Sequence, residues 1–140
     1  MTNVKIKNAL LSVSNKENLL DEVKVLNKFK VKIISSGGTH KYLKKKGYKS
    51  IEISKYTGFK EMLDGRVKTL HPKIHAGILH DRKKKTHLKE MKGKKFPAID
   101  LIIVNFYPFQ KVVTQTKNHE QIIGNIDIGG PTMVRAAAKN

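Results

Sequence analysis

The run AIDLIIVN, residues 98–105, is almost unbroken in its apolar character. A strand with one wet face alternates apolar with polar residues, whereas a strand covered on both faces does not. The run therefore predicts a strand buried on both faces of a parallel sheet, and with it an α/β fold. In open parallel sheets ligands bind beyond the carboxyl ends of the strands. The residues that follow, Asn105-Phe106-Tyr107-Pro108-Phe109, thus put Asn105 and Tyr107 where functional side chains sit, although Tyr107 suits a packing aromatic equally well.

Working outward, ALLSV at 9–13, VKIIS at 31–35 and residues 50–53 have the length and composition of further strands. After the first, Ser14 and Glu17 form an S-x-x-E capping box, and Leu19, Leu20, Val23, Leu26 and Phe29 recur at helical spacing. A helix is predicted from near Lys16. The junction Ser12-Val13-Ser14-Asn15-Lys16 reads either as an ordinary cap with a solvated lysine or as hydroxyls and a cation at a ligand site. After the second strand come Ser36-Gly37-Gly38-Thr39 and a helical segment ending at Gly47. Adjacent glycines there let backbone N–H groups point at one spot, where the helix dipole also favours an anion. This is a phosphate cradle without the Walker lysine or the longer G-x-G-x-x-G pattern, and a plain tight turn competes with it. The alternation of strand and helix predicts an α/β sandwich with a mostly parallel sheet.

The densest chemistry lies in DGRVKTLHPK at 64–73, where an acid, cations, a hydroxyl and an imidazole follow one another. Gly65 and Pro72 argue against a long helix and for a structured loop, which suits an anionic ligand. His71 and His75 are four apart, but Pro72 between them and the lack of an H-E-x-x-H pattern speak against a metal pair, and no metal is expected. Residues 81–95 are polar and predict a solvent-facing helix or loop. Ile126-Asp127-Ile128-Gly129-Gly130-Pro131 opens a last helix, with Pro131 suited to its first turn and Asp127 able to cap it.

With 140 residues one domain is expected, and a domain of this size hides about two thirds of its unfolded surface. The chain has no cysteine, so disulfides and thiolate metal sites are excluded. No secretory leader or membrane span is read from it, and a cytoplasmic, soluble protein without a membrane partner is expected. The net charge of +18 would ordinarily suggest nucleic acid, but 26 of the 29 cations are lysine and only Arg66, Arg82 and Arg135 are arginine. Base-edge and phosphate-fork recognition favours arginine. A solvated lysine surface is the better account, and no nucleic-acid partner is expected.

The segments SVSNK at 12–16, SSGGTHKYL at 35–43, YTGFKEMLDGRVKTLHPKIHAGIL at 56–79, NFYPF at 105–109 and NIDIGGPTMVRAAAKN at 125–140 resemble the amino-terminal domain of the bifunctional family that combines AICAR transformylase with IMP cyclohydrolase. The likeness runs in order through almost the whole chain. It implies a methylglyoxal-synthase-like three-layer sandwich, no cofactor, a purine nucleotide substrate and a homodimer. It also implies a reaction, closure of 5-formamidoimidazole-4-carboxamide ribotide (FAICAR) to inosine monophosphate (IMP) with loss of water.

By that resemblance Ser12, Ser14, Lys16, Ser36, Gly37, Gly38 and Thr39 hold the phosphate and ribose end. Arg66, Val67, Lys68, Thr69 and Leu70 wrap the nucleotide, with Asn105 nearby. Lys68, Tyr107, Asp127 and Lys139 are the implied catalytic groups. Asp127 orients or deprotonates the carboxamide, Lys139 and the backbone after Asp127 at Ile128 and Gly129 meet the oxyanion, and Lys68 and Tyr107 deliver protons to the departing oxygen. The family's cyclohydrolase domain continues beyond the position of Asn140, so residues 1–140 are expected to be that domain incomplete at its carboxyl end, without the transformylase domain. A non-catalytic phosphate-ligand-binding domain or inactive fragment of the same fold is the alternative. A methylglyoxal-synthase-like lyase is a second enzymatic option.

Overall fold

The computed structural model describes residues 3–140. Strand and helix alternate through the first part: β1 (Asn8–Ser12), α1 (Leu19–Lys28), β2 (Lys32–Ser35), α2 (Gly37–Lys45) and β3 (Ile51–Glu52). Then come α3 (Ile53–Thr57), a 3-10 turn at Leu63–Gly65, α4 (Pro72–Leu79), α5 (Lys85–Gly93), β4 (Leu101–Val104), α6 (Phe109–Gln115), α7 (His119–Gly124) and α8 (Gly129–Lys139). Among the described residues no helix is long and apolar enough to cross a membrane.

The strands form one sheet in the order β3-β2-β1-β4, with every pair parallel. Leu10 stands opposite Ile34 on one side and Ile102 on the other. Because β1 is paired on both edges and covered on both faces, Ala9, Leu10 and Leu11 are wholly buried. Their side chains alternate between two cores. Leu10 joins Ile34, Ile53, Ile74, Ile78 and Met133 beneath α3, α4 and α8, whereas Ala9 and Leu11 join Leu19, Val23, Leu26 and Leu43 beneath α1 and α2. Helices therefore cover both faces of a parallel sheet, which is the α/β sandwich that the strand pattern predicts in the three-layer form that the resemblance implies.

Three local expectations need correction. The run at 98–105 is a strand, but every residue of β4 is half-buried. Its two faces do pack, Ile102 and Val104 on one core and Leu101 and Ile103 on the other, yet β4 is the last strand of the sheet among the described residues and one edge has no neighbour. Next, the Ser14–Glu17 capping box does not form. Helix α1 begins at Leu19 behind Asn18, which is left-handed at φ 61°, with no side-chain cap. The Ser14 N–H instead donates to Asn105. Phe29, read as the last residue of the helical spacing, lies just past α1 and is 69% exposed, because α1 ends at Lys28 and the left-handed Lys30 turns the chain away. The polar segment at 81–95 does contain a surface helix, α5, anchored by buried Met91.

The stretch at 64–73 divides at Pro72. Up to His71 it is loop, and Pro72 then occupies the first turn of α4, where its missing N–H is not needed. His71 caps that helix, its Nδ1 accepting from the Lys73 N–H at 3.1 Å, so this imidazole has a structural task.

Candidate active site

The chain moves from β1 through β2 to β3 in one direction, and β4 lies on the opposite side of β1. The connections leaving β1 and β4 consequently diverge, and a crevice opens at the carboxyl ends of the strands. A cleft of about 710 Å³ occupies this position, well within the range of small-ligand sites. Its wall draws on Ser12, Val13, Ser14 and Lys16 after β1, Ser36 and Gly38 at the start of α2, and Asp64, Gly65, Arg66, Lys68 and Thr69 before α4. Asn105 and Tyr107 after β4 and residues from Ile123 to Gly130 complete it.

The electrostatics favour an anion. Lys16, Arg66 and Lys68 face two carboxylates, Asp64 and Asp127. Helices α2 and α8 both begin at the cleft, so the positive ends of their dipoles add to the cations. Ser36 precedes α2 in an extended conformation without a side-chain cap, and nothing lies within 4 Å of where a Cβ on Gly38 would stand. No side chain caps the first turn of α2, and a ligand can approach the backbone at Gly38 closely. Lys73, the remaining cation of the central stretch, is engaged elsewhere, with its ammonium 2.6 Å from the Tyr56 carbonyl oxygen and 4.6 Å from the centre of that ring.

Asn105 has a task that its position after a strand does not reveal. Its Oδ1 accepts from the Ser14 and Asn15 N–H groups at 2.6 and 3.1 Å, and its Nδ2 donates to the Asn15 carbonyl at 2.6 Å. It lines the cleft, but its amide is committed to holding the loop after β1 against β4. Asn105→Ala should lower stability by about 1 kcal/mol, since these bonds are partly open to solvent. An unchanged urea midpoint would show that the loop holds itself.

Asp127 is similarly two-sided. Its Oδ1 accepts from the Gly130 N–H at 2.9 Å and its Oδ2 from the Tyr107 N–H at 3.3 Å. One carboxylate therefore caps α8 and ties it to the segment after β4, and each oxygen keeps a lone pair for a ligand. Gly130 must lack a side chain, because a Cβ there would come within 2.6 Å of Asp127 Oδ2 and 2.9 Å of the Phe106 ring. Gly129 is bare for a related reason: a Cβ would collide with the Thr69 Oγ1. Thr69 is thereby set against the first turn of α8. Below it His75 keeps a buried Nε2 without a partner. Burial pushes the His75 pKa below the usual histidine value, against an opposing backbone hydrogen bond at Thr69, so the ring adds no charge under the cleft at neutral pH.

Of the residues implicated by sequence, the structure brings together Ser12, Ser14, Lys16, Ser36, Gly38, Arg66, Lys68, Thr69, Asn105, Tyr107, Asp127, Ile128 and Gly129. It leaves others out. Thr39 is fully buried, its hydroxyl bonded to the Val13 backbone and to Ser36, so it supports the cradle from beneath. Gly37, Val67 and Leu70 do not line the cleft, and Leu70 is 39% exposed. Lys139 lies farthest from the cleft wall. It is exposed at the far end of α8 from Gly129, a distance of roughly 15 Å at the helical rise per residue. Its neighbour Asn140 bonds the Ile78 and His80 carbonyls at the end of α4. The candidate site residues did not include Val13, Asp64, Gly65, Ile123, Gly124, Ile126 and Gly130, which also line the wall. The Gly-Gly pair after Asp127 was a usable signal for Gly130, whereas isoleucines near a short helix carry none.

A family model described as the MGS-like domain matches residues 18–132. The chain belongs to the MGS-like domain family. It is 54% identical over 96% of its length to the bifunctional purine biosynthesis protein PurH of Clostridium acetobutylicum, and 53% identical over 96% to PurH of Clostridium beijerinckii. In each case it spans 27% of the relative's length. The MGS-like domain is the part of these purine-biosynthesis enzymes that is matched. Among solved structures, a crystal structure of ForH superposes with a TM-score of 0.79 at 30% identity, covering 97% of this chain and 70% of that one. The expected three-layer sandwich is thus the MGS-like fold.

Proposed function

We propose that the cleft binds FAICAR and closes it to IMP. The observation that carries this reading is that Lys68, Tyr107 and Asp127, from three separate segments, line one cleft with the anion cradle of Ser12–Lys16 and Ser36–Gly38. The phosphate lies against the cradle and the start of α2. The carboxamide nitrogen attacks the formyl carbon, and the formyl oxygen leaves as water after taking one hydrogen from the carboxamide and one from the formamide nitrogen. Since both Asp127 oxygens already accept a backbone N–H, the carboxylate is best suited to orient the carboxamide through its free lone pairs. The N–H groups at the first turn of α8 meet the developing oxyanion, and Lys68 and Tyr107 pass protons to the departing oxygen. Lys139 has no part in this scheme within one copy of the chain. Assembly as a homodimer belongs to the same reading and is checked by light scattering.

The test incubates the purified chain with FAICAR and follows IMP, using a Lys68→Ala, Asp127→Asn double variant as the blank. Turnover above the blank supports the cyclohydrolase. Binding without turnover is the second reading, favoured by the place of Lys139 outside the cleft, and calorimetry showing IMP binding by an inert chain would establish it.

A further inference from the structure

We propose that Glu61 is a positioning residue for Lys68, holding its ammonium at the cleft wall; this rests on the catalytic reading given above. The Lys68 Nζ lies 3.5 Å from Glu61 Oε1, with the two side chains 29% and 50% exposed. Lys68 lines the cleft and Glu61 does not, so the carboxylate supports the lysine from outside the wall. In a chain with 29 cations and 11 acids an unpaired lysine is the ordinary condition. Among the described residues only Lys24 and Lys68 have a lysine ion pair, and that of Lys24 is an exposed contact one helical turn away.

The backbone is shaped around this contact. Leu63, Asp64 and Gly65 are successively left-handed, at φ 50°, 52° and 83°. That conformation is uncommon for leucine, and strained backbone is concentrated where surrounding structure and function require it. The turn folds the segment back so that Glu61 reaches a lysine seven positions ahead. Gly65 is constrained a second time. A Cβ there would occupy the place of the Glu61 carboxylate and lie 3.3 Å from Lys68 Nζ. A free lysine samples many rotamers, and a reacting group held even slightly out of line loses much of its rate. A carboxylate beside an anion site also repels the ligand, a cost that its contact with Lys68 offsets.

The closing experiment compares the wild-type chain with Glu61→Gln and Glu61→Asp. Glu61→Gln should lower kcat on the order of tenfold while KM stays level or falls, since a repulsive charge has gone. Glu61→Asp should recover part of kcat. A raised KM at constant kcat, or no kinetic change, would overturn the proposal. If the wild-type chain shows no turnover, the catalytic reading fails by itself, and Glu61 is then decided by the acetylation rate of Lys68 under acetic anhydride, read by mass spectrometry. Faster modification of Lys68 in Glu61→Gln, with Lys55 and Lys60 unchanged as internal controls, supports the ion pair as a restraint. An equal rate at Lys68 refutes it.

Discussion

Asp100→Ala should lower the unfolding free energy by about 2–3 kcal/mol, the loss typical of charge-assisted hydrogen bonds whose carboxylate is buried while its Arg82 partner is a third exposed. The Asp100 side chain is only 4% exposed and receives Arg82 Nη2 at 2.8 Å. Its other oxygen accepts the Lys7 and Asn8 N–H groups at 2.8 and 2.9 Å. One carboxylate thus fastens the entry to β1, the entry to β4 and the segment after α4 at the end of the sheet opposite the cleft. Removing it leaves a guanidinium with no acid partner and unpaired backbone donors beside the core. The size of the loss is decisive, because whole domains are stable by only about 5–15 kcal/mol. Asp100→Asn, which keeps one acceptor and the shape, should lose roughly half as much. Urea unfolding followed by circular dichroism measures both, and a loss below about 1 kcal/mol for alanine would show that Arg82 and the backbone find water at no penalty.

Asp127→Asn should separate stability from catalysis in the proposed reaction. The asparagine keeps one oxygen to cap Gly130, so the helix loses no more than about 1 kcal/mol. Its amide cannot accept the Tyr107 N–H now bonded to Oδ2, and it cannot offer a carboxylate to the substrate amide. IMP formation should therefore fall by about 10²–10³ with the fold intact, the range seen when a transition-state or proton-transfer partner is removed. A fall of less than tenfold at unchanged stability would remove Asp127 from the chemistry and leave it as a cap.

Elements governed by local pattern were legible without coordinates. The apolar runs become β1, β2 and β4, and Ser36-Gly37-Gly38 opens α2 at the strand end. The capping box at Ser14 failed because a residue distant in sequence competes for the same N–H. Asn105, 91 positions away, takes it at 2.6 Å. Lys139 lies apart from the cleft for a geometric reason. The motif containing it is continuous in sequence, but a straight helix carries its two ends apart, so Asp127 is at the cleft and Lys139 is not. The motif itself does not contain that distance.

The amino-acid sequence by itself determined the α/β class, the parallel sheet, the glycine opening of α2 and the family, because hydrophobic period, turn chemistry and long specific strings are local properties of the chain. Only the tertiary structure decided that β4 is half-buried at the sheet's edge and that Asn105 and Asp127 are clamps as well as wall residues. It also decided that Thr39 lies beneath the cradle and that Glu61 stands behind Lys68. Each of these depends on which distant segment wins a donor, an acceptor or a buried position, and that contest is settled only when the layers pack.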